Sequence, residues 1–292
     1  MSARLLLLLC VLLPAALRGQ QLSQYTQYVF NHFSVNPAVA GSKDCLDVRL
    51  GYRKQWSGFD GAPTTGWASL HGTITPKGKP FQKNKHGVGM FIESDNAGHW
   101  GYTRLLLAYA YHIQMSQDYY MSLGFFGGAQ QMKFDTGEAL AVQFNDPALD
   151  GKSSSVVIPE ITPGIWAYSK KAWAGISMHQ ALGNTIKDIG LDSRLARQFM
   201  LSAGYKARIG RKTALIPCML TKFSKGVPPA LDINAMVEWN KQYSLGVGYR
   251  NSDAVTFLMK VSFAKYFQLG YSYDVTTSKL RVLFTHKGKA RS

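Results

Sequence analysis

Beyond its first twenty residues the chain has no uncharged apolar run of the ~18 residues that a membrane-crossing helix requires, so no transmembrane helix is expected there. Cysteine is scarce, with Cys10, Cys45 and Cys218 the three in 292 residues. Two thiols beyond the leader do not make a disulfide scaffold, and both are expected unpaired. The chain lacks CxxC, HExxH, GxxxxGK(S/T) and GxSxG, which removes the usual signatures of metal, phosphate-loop and serine-hydrolase chemistry. Seven histidines (His32, His71, His86, His99, His112, His179, His286) are scattered without ligand spacing, so neither a metal nor a cofactor is expected. Acidic residues are few as well, 17 against 33 Lys and Arg, and the net charge is +16. Such a balance suits a lipid-phosphate or acidic protein partner, and equally a solvated basic surface.

What is present begins with MSARLLLLLCVLLPAALRGQ. Arg4 is followed by an apolar centre, Leu5 to Leu13, and a short polar stretch ending at Gln20. This reads as a secretory signal peptide, residues 1–20, too short to cross a membrane. Cys10 lies deep in the apolar run with Leu9 before it, which argues against lipidation. Export argues against nucleic acid as the partner of the basic charge. Aromatics at 12% and 28 glycines lean the composition towards β structure.

The apolar residues repeat with a period of two. In VTFLMKVSF, Val255, Phe257, Met259, Val261 and Phe263 fall on one side and Thr256, Leu258, Lys260 and Ser262 on the other. FQLGYSYDV, YSLGVGYR, LDVRLGYR and LDINAMVEW alternate likewise. These are strands with one apolar face. A soluble β-sandwich also alternates, but here the second face carries Gly, Ser, Lys, Arg and Asp, as suits a hydrated lumen. Aromatics (Tyr52, Trp56, Trp100, Tyr119, Tyr120, Trp173, Trp239, Tyr243) gather near strand ends, where interfacial girdles belong.

Strands are expected at 46–54, 65–75, 87–95, 102–114, 119–133, 161–169, 172–179, 197–209, 212–223, 229–239, 242–250, 254–264 and 266–275, with a fourteenth available at Leu280 to Thr285. Tight turns at Gln117-Asp118, Lys170-Lys171, Gly210-Arg211 and Asn240-Lys241 alternate with the long connections 134–160 and 180–196. Short periplasmic turns and longer outer loops are the habit of outer-membrane barrels, and the parity puts the N-terminus in the periplasm. The connection 76–86, PKGKPFQKNKH, is long and basic on the predicted periplasmic side. Lys77, Lys79, Lys83 and Lys85, with Lys206, Arg208, Arg211 and Lys212, suit lipid phosphates or an acidic partner, or simply anchor the barrel at the membrane surface. Residues 21–44 have no clean period and are expected to form a periplasmic or lumen-facing segment. The barrel then occupies 45–285 and a basic tail 286–292. An outer-membrane hydrolase would need a nucleophile and base across neighbouring strands; His112 and Ser122 are the nearest pair.

Ser23 to Gly72 also carries a recognisable pattern: SQY…FN, NPAVAG at Asn36 to Gly41, YRKQWSGFDGAPTT at Tyr52 to Thr65, and SLHG at Ser69 to Gly72. It resembles the N-terminal signature of the PorP/SprF family of type IX secretion system membrane proteins of Bacteroidota, and LGYSYD at Leu269 to Asp274 resembles a late strand of that family. The resemblance implies an all-β fold, a transmembrane antiparallel β-barrel of fourteen strands with a short N-terminal extension, without enzymatic activity, cofactor, small-molecule substrate or nucleic acid. Its implied partners are a periplasmic ring with lipoprotein components, surface or secreted adhesin cargo, and outer-membrane lipid. The residues carried over as a family and partner-binding motif are Asn36, Pro37, Gly41, Arg53, Trp56, Gly58, Phe59, Gly61, Pro63 and Thr64. Members usually close on a full strand ending in an aromatic, whereas this chain ends TTSKLRVLFTHKGKARS, which puts barrel closure in question. Three other readings stay open at this point: a passive outer-membrane porin, a soluble β-sandwich adhesin, and the hydrolase.

Overall fold

The computed structural model describes residues 28–56, 61–74, 84–135, 154–186, 193–251, 253–264 and 266–277. Two single-turn 3-10 helices, His32–Ser34 and Pro37–Val39, precede sixteen strands. They are β1 (Asp47–Lys54), β2 (Thr64–Ile74), β3 (Lys85–Ala97), β4 (Trp100–Gln114), β5 (Tyr120–Phe134), β6 (Ser154–Tyr168), β7 (Ala172–His179), β8 (Thr185–Ile186), β9 (Ser193–Arg194), β10 (Gln198–Tyr205), β11 (Ala207–Arg208), β12 (Thr213–Ser224), β13 (Val227–Trp239), β14 (Tyr243–Arg250), β15 (Ala254–Phe263) and β16 (Phe267–Thr276). One antiparallel sheet runs β1-β2-β3-β4-β5-β6-β7-β10-β12-β13-β14-β15-β16, with β11 pairing β12 and a separate β8–β9 ribbon.

The sheet curls so that its faces become an inside and an outside. Leu50, Val247 and Phe257 point outward and are 79%, 54% and 51% exposed, while Ser244, Thr256 and Arg250 of the same strands are buried. Exposed apolar residues continue around the outer face through Leu105, Leu107, Ile165 and Leu269. A belt of this kind requires lipid, because water against so much aliphatic surface is costly at roughly 25 cal/mol per Å². Trp239 stacks on Tyr243 and Phe263 on Phe267 at one rim of this belt, with centroids 5.8 and 5.9 Å apart. The fold is the expected all-β transmembrane barrel.

β4, β5 and β6 are 15 residues each. That exceeds the ~9–11 residues a tilted span needs, so these strands stand above the shorter ones. β6 begins at Ser154, inside the stretch 134–160 expected as a loop, and β3 begins at Lys85, inside the expected connection 76–86. The expected loop 180–196 contains the β8–β9 ribbon. Trp173 is a correction: it points inward, half-buried against the core, and belongs to no interfacial girdle. Residues 1–27, most of 76–86 and of 134–153, and the segment Leu280 to Thr285 with its basic tail lie outside the described residues.

The interior is a second correction. It is not uniformly wet: Tyr28, Phe33, Val35, Ala38, Val39 and Ala40 pack on Phe91, Leu106, Ala108, Ala110, Phe126, Trp166, Met200 and Leu220 of the wall. This is why β4 (LLLAYAYHI) carries little alternation of polarity. Leu105, Leu107 and Tyr109 face lipid while Leu106, Ala108 and Ala110 face an apolar core. Val247→Arg on the outer face of β14 is expected to destabilise the folded barrel by about 2–4 kcal/mol if it lies near mid-membrane. Urea titration in lipid vesicles measures it, with inward Thr256→Ser as a control expected to change little.

Candidate functional site

The stretch 28–41 enters the lumen because its sequence can be received there. Asn36 Oδ1 accepts from Ala38 N at 3.0 Å, and Pro37 occupies the first helical position, where a missing N–H costs nothing. Ala38 and Ala40 keep the turn thin. Gly41 then leaves with φ +72°, a conformation that favours glycine.

Strand side chains supply the partners that the turn's backbone needs. Ser177 Oγ and His179 Nε2 donate to the Val35 carbonyl at 2.5 and 2.9 Å. Ser122 Oγ donates to the Ala38 carbonyl at 2.7 Å, and His112 Nε2 to the Ala40 carbonyl at 2.6 Å. Donation from Nε2 leaves His112 Nδ1 as acceptor, and Tyr168 OH lies 3.0 Å from it. Gly41 N lies 3.4 Å from His71 Nδ1 and the Gly41 carbonyl accepts from Thr73 Oγ1 at 2.9 Å. Asn36 Nδ2 reaches the other way, donating to the carbonyls of Ile165 and Ile176 at 2.9 and 3.2 Å. Those two residues face one another across β6 and β7, so Asn36 pins the segment to both. At the far wall Tyr28 OH donates to the Asp232 carbonyl at 3.3 Å and accepts from Asn234 Nδ2 at 2.9 Å. Close approach is possible because the bed is glycine: a Cβ at Gly87 would collide with the Ala40 carbonyl, and one at Gly124 would lie 2.7 Å from Ala38 Cα.

Phe33 lies against His71 and edge-on to Phe126, with centroids 4.6 and 5.1 Å apart. His32 sits between Trp166 and Trp173 at 5.4 and 5.3 Å. Burial, helped by the nearby positive charges of Arg49 and Lys43, pulls its imidazole down to about 3. The ring is therefore neutral, with Nδ1 buried and without a hydrogen-bond partner among the described residues.

Beyond the turn, towards the tall ends of β3 to β6, comes a layer of buried charge. Arg104 donates to Glu93 Oε2 through Nε and Nη2 at 2.9 and 2.6 Å, and its Nη1 lies 3.5 Å from Glu160 Oε1. Tyr102 OH donates to the other Glu93 oxygen at 2.8 Å. Over this layer Ile186 of β8 and Leu195, which follows β9, are buried with Met132 and Ile158. Asn184 Nδ2 holds the ribbon's entry to the Pro159 carbonyl at 2.7 Å. On the opposite wall Arg250 pairs with Asp232 and Asp253 at 2.7 and 3.0 Å.

The expected motif residues separate into two places. Asn36, Pro37 and Gly41 lie in the lumenal segment. Arg53 lines the inner wall, 3.0 Å from Asp274, and Trp56 is exposed at the end of β1 with φ +46°. Gly61 accepts from Gly98 N at 2.9 Å, the Pro63 carbonyl accepts from Gln55 N at 2.9 Å, and Thr64 opens β2 opposite Lys54. Gly58 and Phe59 lie outside the described residues, as do Lys77, Lys79 and Lys83. Lys85 and Lys206 are held by Asp44 and Glu238. Cys45 and Cys218 are both free thiols. The hydrolase pair fares differently. His112 and Ser122 are neighbours across β4 and β5, but both turn their polar atoms to the carbonyls of the lumenal segment. No hydrogen bond joins them among the described residues, so the nucleophile–base contact is missing. Of the receiving set, Ser69, which accepts from Asn31 Nδ2 at 3.3 Å, and His71 stood in the sequence only as part of SLHG, and His112 and Ser122 only as a hydrolase pair; Ser177, His179 and Asn234 left no trace beyond polar residues on the face opposite lipid.

Fold and interior together define a transmembrane β-barrel plugged by its own N-terminal segment. A family model described as type IX secretion system membrane protein PorP/SprF matches residues 17–287, and the chain belongs to that family. It is thus a membrane component of that secretion system, in a family of secretion components rather than of enzymes. No curated protein matches the chain. Among the described residues no helix is long and apolar enough to cross a membrane.

Asn36→Ala removes the turn's own cap and both ties to the wall, and is expected to weaken docking of the segment by about 1–3 kcal/mol. Protease cleavage within 28–44 of the folded barrel measures the release. The pH dependence has a definite sign. A histidine held neutral by burial contributes full stability above its free value near 6.5 and loses it as pH falls from there towards 3. Release should therefore rise below about pH 6.5, by at most tenfold per unit from this one ring, and His32→Phe should flatten part of that rise.

Proposed function

We propose that the chain works in the outer membrane as a non-enzymatic link between the periplasmic ring of the type IX system and the export or surface anchoring of adhesin-type cargo. It does so as a closed platform rather than a pore. On this reading residues 1–20 are removed on export and the mature N-terminus stays with the barrel. Asn36, Pro37 and Gly41 hold the lumen shut, whereas Trp56, Gly61, Pro63 and Thr64, with Arg53 on the wall beneath them, form the rim that meets a partner; Gly58 and Phe59 belong to the same motif by sequence.

The observation that carries the reading is the filled interior. Phe33 and Ala40 are 0% exposed in the middle of the barrel. A passive porin needs an open aqueous path along this axis, and the packing of 28–41 on Phe91, Phe126 and Trp166 counts against one. Family membership supports the secretory setting. The rim reading rests on geometry: the Gln55–Pro63 and Gly61–Gly98 bonds tie the β1–β2 and β3–β4 turns into one surface at a single end of the barrel.

Two measurements test this. Purified barrels in planar bilayers are expected to show no steady conductance, and Gly87→Val, which displaces Ala40, is expected to open one. Barrels solubilised gently from outer membranes are expected to retain ring lipoproteins and adhesin cargo. Losing those partners in Trp56→Ala, while the lumen stays shut, would place their contact at the rim. A wild-type barrel that conducts small ions steadily would return the porin reading.

A further inference from the structure

At the end of the lumen away from the Arg104 layer, the inner wall carries a patch of donors with nothing to hold. Glu238, Ser244, Lys260 and Gly270 are register partners in one row across β13, β14, β15 and β16. Ser262 lies two residues along β15 from Lys260, on the same face. That face is the inner one. Tyr243, Leu245, Met259 and Phe263, which alternate with these residues, are exposed on the lipid side. Lys260 Nζ lies 5.7 Å from the ring centroid of Phe30 in the lumenal segment.

Ser244 is only 2% exposed. Its Oγ and that of Ser262 are buried without a hydrogen-bond partner among the described residues, although buried hydroxyls are normally answered. Lys260 has no ion pair among those residues either. The carboxylate of its row, Glu238, is taken by Lys206 at 2.5 Å. The charges that bear on Lys260 are Glu238, Lys206, Lys43 and Arg49. Lys43 and Arg49 share Asp47, at 2.7 and 2.6 Å. Four cations thus stand against two carboxylates, which leaves two positive charges in excess. Gly270 brings no side chain to the flank of Lys260 and is exposed, so the ammonium has space beside it.

We propose that Lys260, Ser244 and Ser262 form a carboxylate-binding site inside this mouth of the barrel, and that its occupant is an acidic peptide segment of a periplasmic partner. The site rests on the topology of the proposed function and gives its periplasmic contact a chemistry. A lysine offers three donors and each hydroxyl one, a set that matches the lone pairs of a carboxylate. Such charge-assisted bonds are about twice as strong as neutral ones. Lipid headgroups lie on the other side of the wall, beyond outward-facing Tyr243 and Phe263. The excess charge is spread over two parts of the wall, β1 with the residues before it and β10 to β15. A chain bearing several carboxylates therefore answers more of it than one small anion does.

The test is made on the purified full-length barrel, with fluorescein-labelled hexaglutamate followed by anisotropy at low salt. Hexaglutamate is expected to bind and hexaglutamine not to. Lys260→Met is expected to weaken binding by about tenfold, and Ser244→Ala or Ser262→Ala by about two- to fivefold each. Lys260→Arg, which keeps the charge, and Lys212→Met, on an exposed turn of the same rim, are expected to stay within about threefold. A heat-modifiable band on unboiled gels confirms that each variant is folded. Absence of hexaglutamate binding, or equal losses in Lys212→Met and Lys260→Met, would overturn the site. Displacement of the peptide by inorganic phosphate at equal concentration would overturn the peptide as occupant. Pull-down from outer membranes separates this site from the reading beneath it. Wild-type barrels that retain no ring lipoproteins would sink the proposed link itself, whereas a Lys260→Met barrel that retains them as fully as wild type would overturn this site alone.

Discussion

A length of chain that lies inside a barrel brings its amides and carbonyls with it, and each one cut off from water must find a partner there. Much of this structure answers that demand. Val35, Ala38, Ala40 and Gly41 present carbonyls in succession, and Ser177 with His179, Ser122, His112 and Thr73 meet them one by one. Pro37 removes one donor from the problem and Asn36 absorbs another through its side chain. The short residues of the turn matter for the same reason. Bulkier ones at Ala38 or Ala40 would hold the backbone away from hydroxyls and imidazoles that reach only a hydrogen bond's length.

The buried charges follow from the same enclosure. An arginine as enclosed as Arg104, 1% exposed, is tolerated only if its donors are answered. Register answers most of them: Glu93 lies directly opposite Arg104 across β3 and β4, in reach of two nitrogens. Glu160 comes from β6, two strands away, where a carboxylate approaches without displacing the cross-strand partner. Such a layer contributes less to stability than its number of contacts suggests, because desolvation offsets most of the attraction. What it does fix is position. Removing one partner leaves an uncompensated charge, so the tall ends of β3, β4 and β6 are held in a single arrangement above the plug.

The sequence made the wall readable and left its contents hidden, for different physical reasons. Strands with lipid on one side and polar groups on the other alternate visibly, and β1, β13, β14, β15 and β16 lie within a residue or two of the alternating segments. β6 began seven residues earlier than its pattern suggested, since Ser154 to Glu160 lie above the belt where lipid no longer enforces alternation. Trp173 looked like an interfacial anchor because an aromatic near a strand end suits either face; the period-two count from Ser177 and His179 would have turned it inward. The plug was legible only as a motif. NPAVAG has no periodicity because its contacts are to six different strands, and no local pattern encodes partners more than a hundred residues away, such as Ile165 or Ile176.

A barrel whose outer wall is covered by lipid and whose interior is filled by its own chain has only its two rims left for other proteins. The second half of the family motif lies at one of these rims. Gly61, with φ +72°, turns the chain so that its carbonyl meets Gly98 of the neighbouring hairpin, and Pro63 returns it to Gln55. Turns bound to each other in this way move as one surface, while Arg53 beneath them is committed to Asp274. The two halves of the signature thus lie apart in the fold: Asn36, Pro37 and Gly41 belong to the segment that fills the lumen, and Gly61 and Pro63 to turns bonded at one rim.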